Sequence, residues 1–316
     1  MENKIYLGID TSNYTTSLAI VKENGELIAN LKRPLPVRSG ECGLRQSDAV
    51  FHHTVNIPSL MEEAKAYFSS GRIVAVGVSS RPRNVEGSYM PCFLVGTSVA
   101  ESVSATLGVP LFKFSHQCGH IMAALYSAGR EDLIGKPFAA FHISGGTTEL
   151  VRALPENGEF KTELFGATAD LNAGQAIDRV GVKLGLDFPA GIELEKLALR
   201  FNGKVPKKRI SIADNKINLS GLENMAEKLY AETRDKAFVG AFVFDYIGRA
   251  ISSLAALYEE KYGKSAFVFA GGVMSNSIIK GILADGEDRA FAEPELSRDN
   301  AVGIAELARR KHLSVG

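Results

Sequence analysis

One pattern constrains the fold more than any other feature of the chain: strand, polar turn, strand, Asn-Gly turn, strand, written twice. The first copy runs through residues 4–10, the turn Asp10-Thr11-Ser12-Asn13, residues 15–21, Asn24-Gly25 and residues 26–31. The second runs through residues 138–143, Ser144-Gly145-Gly146-Thr147-Thr148, residues 149–154, Asn157-Gly158 and residues 159–165; its Asn-Gly falls 133 residues after the first (24 to 157). Asn-Gly tolerates positive φ, so each copy closes a hairpin. Two meanders, each followed by helices and strands, predict an α/β fold of two lobes about a pseudo-twofold axis, with a ligand cleft between them. The expected lobes are residues 1–136 and 137–316, the last helix packing back on the first lobe.

Composition narrows the function. Lys plus Arg and Asp plus Glu both number 36, so net charge gives no global attraction to nucleic acid or membrane, and any polyanion site must be a local patch. With 45% hydrophobic residues in 316, sizeable cores are available. Cys42, Cys92 and Cys118 form no close pair, which fits a reducing cytosol. No targeting segment or membrane-length apolar run stands out, so a cytoplasmic protein without a membrane partner is expected.

The chemistry centres on Ser115-His116-Gln117-Cys118-Gly119-His120, where the strand at residues 109–114 gives way to a helix. Histidines at i and i+4 share a helix face and can offer two imidazoles to one cation. The alternative is two helix histidines satisfied by hydrogen bonds. A metal would need a third ligand, for which Asp299 is the best carboxylate; Cys118, at i+2, points off the histidine face.

Further elements are expected as helices near residues 47–68 with a break at Pro58, 92–106, 170–184, 223–262 and 298–311, and strands at residues 74–79 and 267–270. Polar or glycine-rich turns at strand ends, Asp10 to Asn13, Ser144 to Thr148, Gly271 to Asn276 and Ser297 to Asn300, suit phosphate binding by backbone N–H groups and helix N-termini, although tight turns use the same residues.

These motifs bring a family into view. The chain resembles the TsaD family of tRNA threonylcarbamoyladenosine transferases, once called O-sialoglycoprotein endopeptidases, within the actin-like ATPase (ASKHA) superfamily. The resemblance rests on Leu7-Gly8-Ile9-Asp10-Thr11-Ser12, Leu94-Val95-Gly96, His116 to His120, Ser144 to Val151, Asp170, Ala173 to Arg179, Pro189-Ala190-Gly191, Ala270 to Val273 with Asn276, and Asp299-Asn300. It implies one iron or zinc ion held by His116, His120 and Asp299. It also implies an adenine nucleotide (threonylcarbamoyl-adenylate, AMP or ATP) bound by Ser144, Gly145, Gly146, Asp170, Gly174, Asp178, Gly191 and Asn276. Asp10 and Ser144 are the expected catalytic residues, tRNA the acceptor, and a TsaB-like subunit or a second copy the partner.

The chain departs from the family pattern at Thr147, at Glu149, in Gly43 to Ser47 and in Arg81-Pro82-Arg83-Asn84-Val85-Glu86-Gly87. A paralogue with another acceptor, or a TsaB-like scaffold without activity, therefore stand as alternatives. A zinc peptidase of the HExxH type does not, because Gln117 occupies the position of the general base and takes up no proton at neutral pH. Arg33, Arg38, Arg45, Arg81 and Arg83, with the cluster from Lys204 to Arg209, are candidates for a phosphate track or a solvated face.

Overall fold

The computed structural model describes residues 3–12, 14–36, 44–156, 159–297 and 300–315. Asn13, Arg38, Cys42, Asn157, Gly158, Arg298 and Asp299 lie outside the described residues. The chain divides into two compact units, one of residues 1–136, 154–162 and 298–316, the other of residues 137–153 and 163–297.

The first unit opens with β1 (Lys4–Asp10), β2 (Thr15–Lys22) and β3 (Leu27–Pro34), then α1 (Gln46–Phe68), β4 (Arg72–Arg81), α2 (Phe93–Leu107), β5 (Leu111–Ser115) and α3 (His116–Ser127). In the second sheet and its helices follow β6 (Phe138–Ile143), β7 (Thr148–Glu156), β8 (Glu159–Thr168), α4 (Ala173–Lys183), α5 (Gly191–Ala198), β9 (Ile212–Ala213), β10 (Lys216–Ile217), α6 (Gly221–Thr233), α7 (Lys236–Tyr262), β11 (Phe267–Ala270), α8 (Ser277–Ala284) and β12 (Arg289–Phe291). The last helix, α9 (Val302–Val315), belongs to the first unit.

Strand order repeats as the sequence pattern repeats. One sheet reads β3-β2-β1-β4-β5 and the other contains β8-β7-β6-β11-β12 within β12-β11-β6-β7-β8-β10-β9. In each, the first strand of the meander pairs antiparallel with the second and parallel with a strand that returns after a helix, β4 on β1 and β11 on β6. Ile5, Leu7 and Ile9 of β1 pack with Leu18, Ile20, Val76 and Val78, all fully buried, beneath Ile57, Leu60 and Ala64 of α1.

Helix α9 lies on this sheet at backbone distance, and glycine makes that possible. Gly8 and Gly77 are register partners across β1 and β4. A Cβ at Gly8 would meet the Ala301 carbonyl oxygen and Ala305 N at 2.6 Å, and one at Gly77 the Ile304 carbonyl oxygen at 2.7 Å. Side chains at these two strand positions would lift the helix off. Glu306, fully buried on α9, accepts from Arg309 Nε and Arg310 Nε of the same helix, both at 2.7 Å, and Arg309 ties the helix down by donating from Nη1 to the Glu23 carbonyl oxygen at 2.9 Å. Arg310 also pairs with Glu131.

Several expected boundaries move, each for a local reason. Pro58 does not break α1, because Ile57 and Leu60 pack into the core on either side of it. The helix expected over 223–262 is two helices: Arg234 takes φ 56° and Asp235 caps α7, its carboxylate accepting from Ala237 N and Phe238 N. The helix expected from Asp170 starts at Ala173, and the last helix starts at Val302, whose N–H donates to Asn300 Oδ1 at 2.9 Å. The strand β12 went unexpected, three residues being too few to show a period. Helix α7 is long and apolar enough to cross a membrane, contrary to the expectation that no run approaches that length; 61% of its apolar window is buried inside the protein, as in a core helix.

Candidate active site

In the first unit the chain enters α3 from β5 through Ser115, whose Oγ accepts from Cys118 N at 3.2 Å and caps the helix. Gln117 N donates to the Pro82 carbonyl oxygen at 3.1 Å, so the loop after β4 satisfies a second N–H of the first turn. His116 and His120 then stand one turn apart on one face, their ring centroids 4.2 Å from each other. Both are buried, at 8% and 5% exposure, and Phe93 lies edge-on to His116.

What holds His116 is legible only in the fold. Its Nδ1 donates to Asp10 Oδ2 at 2.8 Å, across 106 residues of chain. Asp10 is 1% exposed, and its other oxygen accepts from Ser12 N at 2.8 Å. A carboxylate only accepts, so Nδ1 is the donor, and in the neutral ring the lone pair is then on Nε2. A carboxylate behind a histidine is how metal-binding imidazoles are oriented and made more basic.

Cys118 and Gln117 face other business. Cys118 is buried, its Sγ 3.3 Å from the Phe160 carbonyl oxygen and accepting from Asn84 Nδ2 at 3.2 Å; Gln117 Oε1 accepts from Thr162 Oγ1 at 2.8 Å. Asn84 also takes Arg81 Nη2 at 2.8 Å, so the divergent loop at residues 81–87 is tied to the histidine helix. Among the described residues no three His, Cys, Asp or Glu side chains converge as a metal site. Asp299, the expected third ligand, is not among them; its neighbour Asn300 is buried, at 4% exposure.

In the second unit, Ser144, Gly145 and Gly146 follow the carboxyl end of β6. The turn is closed by Ser144 N donating to the Thr147 carbonyl oxygen at 2.8 Å and by Gly146 N donating to Ser144 Oγ at 3.3 Å. The start of α4 presses against it: Gly174 N donates to the Ser144 carbonyl oxygen at 3.2 Å, and a Cβ on Gly174 would meet Gly145 Cα and N at 2.7 Å. Thr148 Oγ1 accepts from Ala173 N at 2.9 Å, a role sequence reading missed because only the fold brings β7 to the helix start. Gly271, with φ 99°, packs on the Ile143 backbone, which brings the turn after β11 beside the turn after β6. A Cβ added at Gly145, Gly146 or Gly272 would meet nothing within 4 Å, so this backbone lies open. Open glycine backbone beside a helix N-terminus is chemically suited to a phosphate.

The remaining expected nucleotide residues fall into three settings. Asp178 Oδ1 accepts from Ala190 N at 2.8 Å, holding the turn that leads into Gly191; burial pushes its carboxyl up, against the opposing N–H groups of Ala190 and Gly191. Asn276 caps α8 by accepting from Ile279 N at 2.9 Å. Asp170 is a clamp: its oxygens accept from Leu171 N (2.6 Å), Leu219 N (2.8 Å), Ser220 N (3.2 Å) and Ser220 Oγ (2.5 Å). Burial would raise its carboxyl, but the Ser220 hydroxyl and the backbone N–H groups outweigh that and hold it below the usual range.

The sequence profile of the family TsaD, tRNA N6-adenosine threonylcarbamoyltransferase, matches residues 40–306. The chain belongs to the TsaD family. TsaD members are transferases, and the tRNA N6-adenosine threonylcarbamoyltransferase of Bacillus subtilis is 30% identical over 95% of this chain and 88% of its own length. Among solved structures, HypF of T. kodakarensis superposes with a TM-score of 0.65 at 14% identity, covering 99% of this chain, which spans about half (48%) of HypF. The (R)-2-hydroxyglutaryl-CoA dehydratase component A of Acidaminococcus fermentans gives 0.53 at 16% identity over the whole of both chains. These likenesses place the TsaD chain in the actin-like ATPase fold class.

Proposed function

We propose that this chain moves a threonylcarbamoyl group from threonylcarbamoyl-adenylate to the N6 amine of the adenosine beside the anticodon of a tRNA. Family membership supports the reaction. The observation that carries it to particular residues is the buried Asp10–His116 hydrogen bond beside His120. Two imidazoles with a carboxylate behind one of them, joined by Asp299, form a donor set suited to one iron or zinc ion. Such an ion, when bound, would supply positive charge to polarise the carbamoyl group or stabilise the departing adenylate. Asp10 then acts through His116, as a positioning residue. The Ser12 hydroxyl, buried and without a hydrogen-bond partner among the described residues, is the kind of group a bound ligand satisfies.

In this reading the adenine nucleotide lies against Ser144, Gly145, Gly146 and Gly174 with its phosphate and against Asp178, Gly191 and Asn276 with its nucleoside, Asp170 holding the turn below them. Ser144 is the candidate catalytic residue of that turn. The N6 lone pair attacks the carbamoyl carbon, the bond to the phosphate oxygen breaks, AMP leaves with the electron pair, and the amine releases a proton. The protein positions the two reactants and keeps water from the anhydride. A TsaB-like subunit or a second copy is the proposed partner, and the cytoplasm the proposed location.

The test is metal content by elemental analysis, AMP binding by calorimetry, and transfer to an unmodified tRNA transcript with partner proteins present, on wild type and His116→Ala/His120→Ala. The expected result is about one iron or zinc per chain, lost together with transfer in the variant, while AMP still binds. Metal-free wild type with full transfer would overturn the metal assignment. Metal and AMP binding without transfer to tRNA would favour a different acceptor, the reading to which the divergent loop at Arg81 to Gly87 points.

A further inference from the structure

The strip from Lys204 to Arg209 has no part in the roles assigned so far. Lys204, Lys207, Lys208 and Arg209 place four cations in six residues of a chain whose net charge is zero. All four are exposed, and among the described residues none forms an ion pair, whereas Lys183, Lys264 and Arg289 of the same unit are each paired with glutamate.

The backbone beneath them is held. Val205, Ile210 and Ile212 pack against the core of the second unit, leaving the intervening cations outward. Arg249 Nη1 donates to the Lys208 carbonyl oxygen at 2.9 Å, while Arg249 Nε donates to Asp245 at 2.7 Å. The carboxylate of Asp245 is thereby already engaged. Charge on this strip is presented at a fixed place and not neutralised locally, which is the electrostatic footprint of a polyanion site. No large apolar side chain of residues 204–210 is exposed to enter a bilayer, so the membrane-surface alternative lacks its hydrophobic half.

We propose that this strip binds the sugar–phosphate backbone of RNA, and that the RNA is the tRNA acceptor. The inference rests on the tRNA reading and adds to it a place. Lysine ammonium groups on an irregular segment contact phosphates without reading bases, so the strip contributes affinity and salt dependence, not sequence choice.

The experiment compares wild type with Lys204→Gln/Lys207→Gln/Lys208→Gln/Arg209→Gln, measuring the binding of an unmodified tRNA transcript between 50 and 200 mM salt. Four lost phosphate contacts reduce the slope of log affinity against log salt by about three, and affinity at ~0.1 M salt falls at least tenfold. AMP binding stays within about twofold, since neutral Gln at an exposed position leaves the nucleotide site alone. Replacing the three lysines by arginine preserves the slope. Should the quadruple variant fold poorly, the pairs Lys204→Gln/Lys207→Gln and Lys208→Gln/Arg209→Gln are each expected to remove about half of the slope change. An unchanged slope in variants that bind AMP normally overturns the strip alone. Wild type that binds AMP but no tRNA overturns the tRNA reading, and the strip with it.

Discussion

Replacing Gly303 by alanine tests the packing that sets α9 against the histidine helix. A Cβ there would lie 2.7 Å from Ala123 N and closer still to the Gly119 carbonyl oxygen, both backbone atoms of α3. Non-bonded contacts sit near 3.5–4.0 Å, so α9 and α3 must part by more than about 1 Å. Overpacking of this kind costs up to about 3 kcal/mol, and backbone that cannot rotate away puts this position at that end. For a unit of this size the melting transition falls by about 6–12 °C, at ~2–4 °C per kcal/mol. Gly119→Ala is the control. Its Cβ would meet Ile304 Cδ1 at 2.8 Å, the end of a side chain that can turn, and alanine regains roughly 0.5–1 kcal/mol of helix propensity. Thermal unfolding followed by circular dichroism should show Gly303→Ala well below wild type and Gly119→Ala within about 3 °C of it. Equal melting of the two variants would refute the claim that backbone contact seats α9. Because α9 begins three residues after Asp299, Gly303→Ala is also expected to lower metal content, and Gly119→Ala to keep it.

Asp10→Asn removes the carboxylate that fixes the His116 tautomer; metal affinity, read by competition with a chelator, is expected to fall about 10–100-fold with the fold intact. Gly174→Ala drives a Cβ into Gly145 Cα and N, so AMP affinity should drop about tenfold or more by calorimetry; unchanged binding would mean the turn is not part of the nucleotide site. Asp178 and Asp170, both in the second unit, should respond to pH with opposite sign. Asp178 is raised, chiefly by burial, so its contribution is present below the ordinary carboxylate range and lost as pH rises through its higher folded value. The melting temperature of Asp178→Asn relative to wild type should therefore climb as pH goes from about 4 to 7. Asp170 is lowered, so its contribution is present above the ordinary range and lost as pH falls; Asp170→Asn should be most damaging near neutrality and least in acid. Matching trends in the two variants would show that one environment has been misread.

Local chemistry made much of this protein legible from its sequence. The twice-written meander announced two sheets with the same strand order, because alternation and Asn-Gly turns act over a few residues. The His116 to His120 spacing put both rings on one helix face by helical geometry alone, and the glycine turns after β6 and β11 followed from the same short-range rules. Helix limits near Asp170, Arg234 and Asn300 were less legible, since side chains there turn to local hydrogen bonds that compete with the helix. Tertiary structure alone decided the rest. Only the packing of α9 on β1, β4 and α3 explains why Gly8, Gly77 and Gly303 carry no side chain. Only the fold brings Asp10 to His116, Thr148 to the start of α4 and Ser220 to Asp170, and among the described residues it pairs no acid with Lys204, Lys207, Lys208 or Arg209. These are contacts between residues tens or hundreds of positions apart. Their energies depend on burial and on which group arrives opposite, and neither quantity exists in the chain until it has folded.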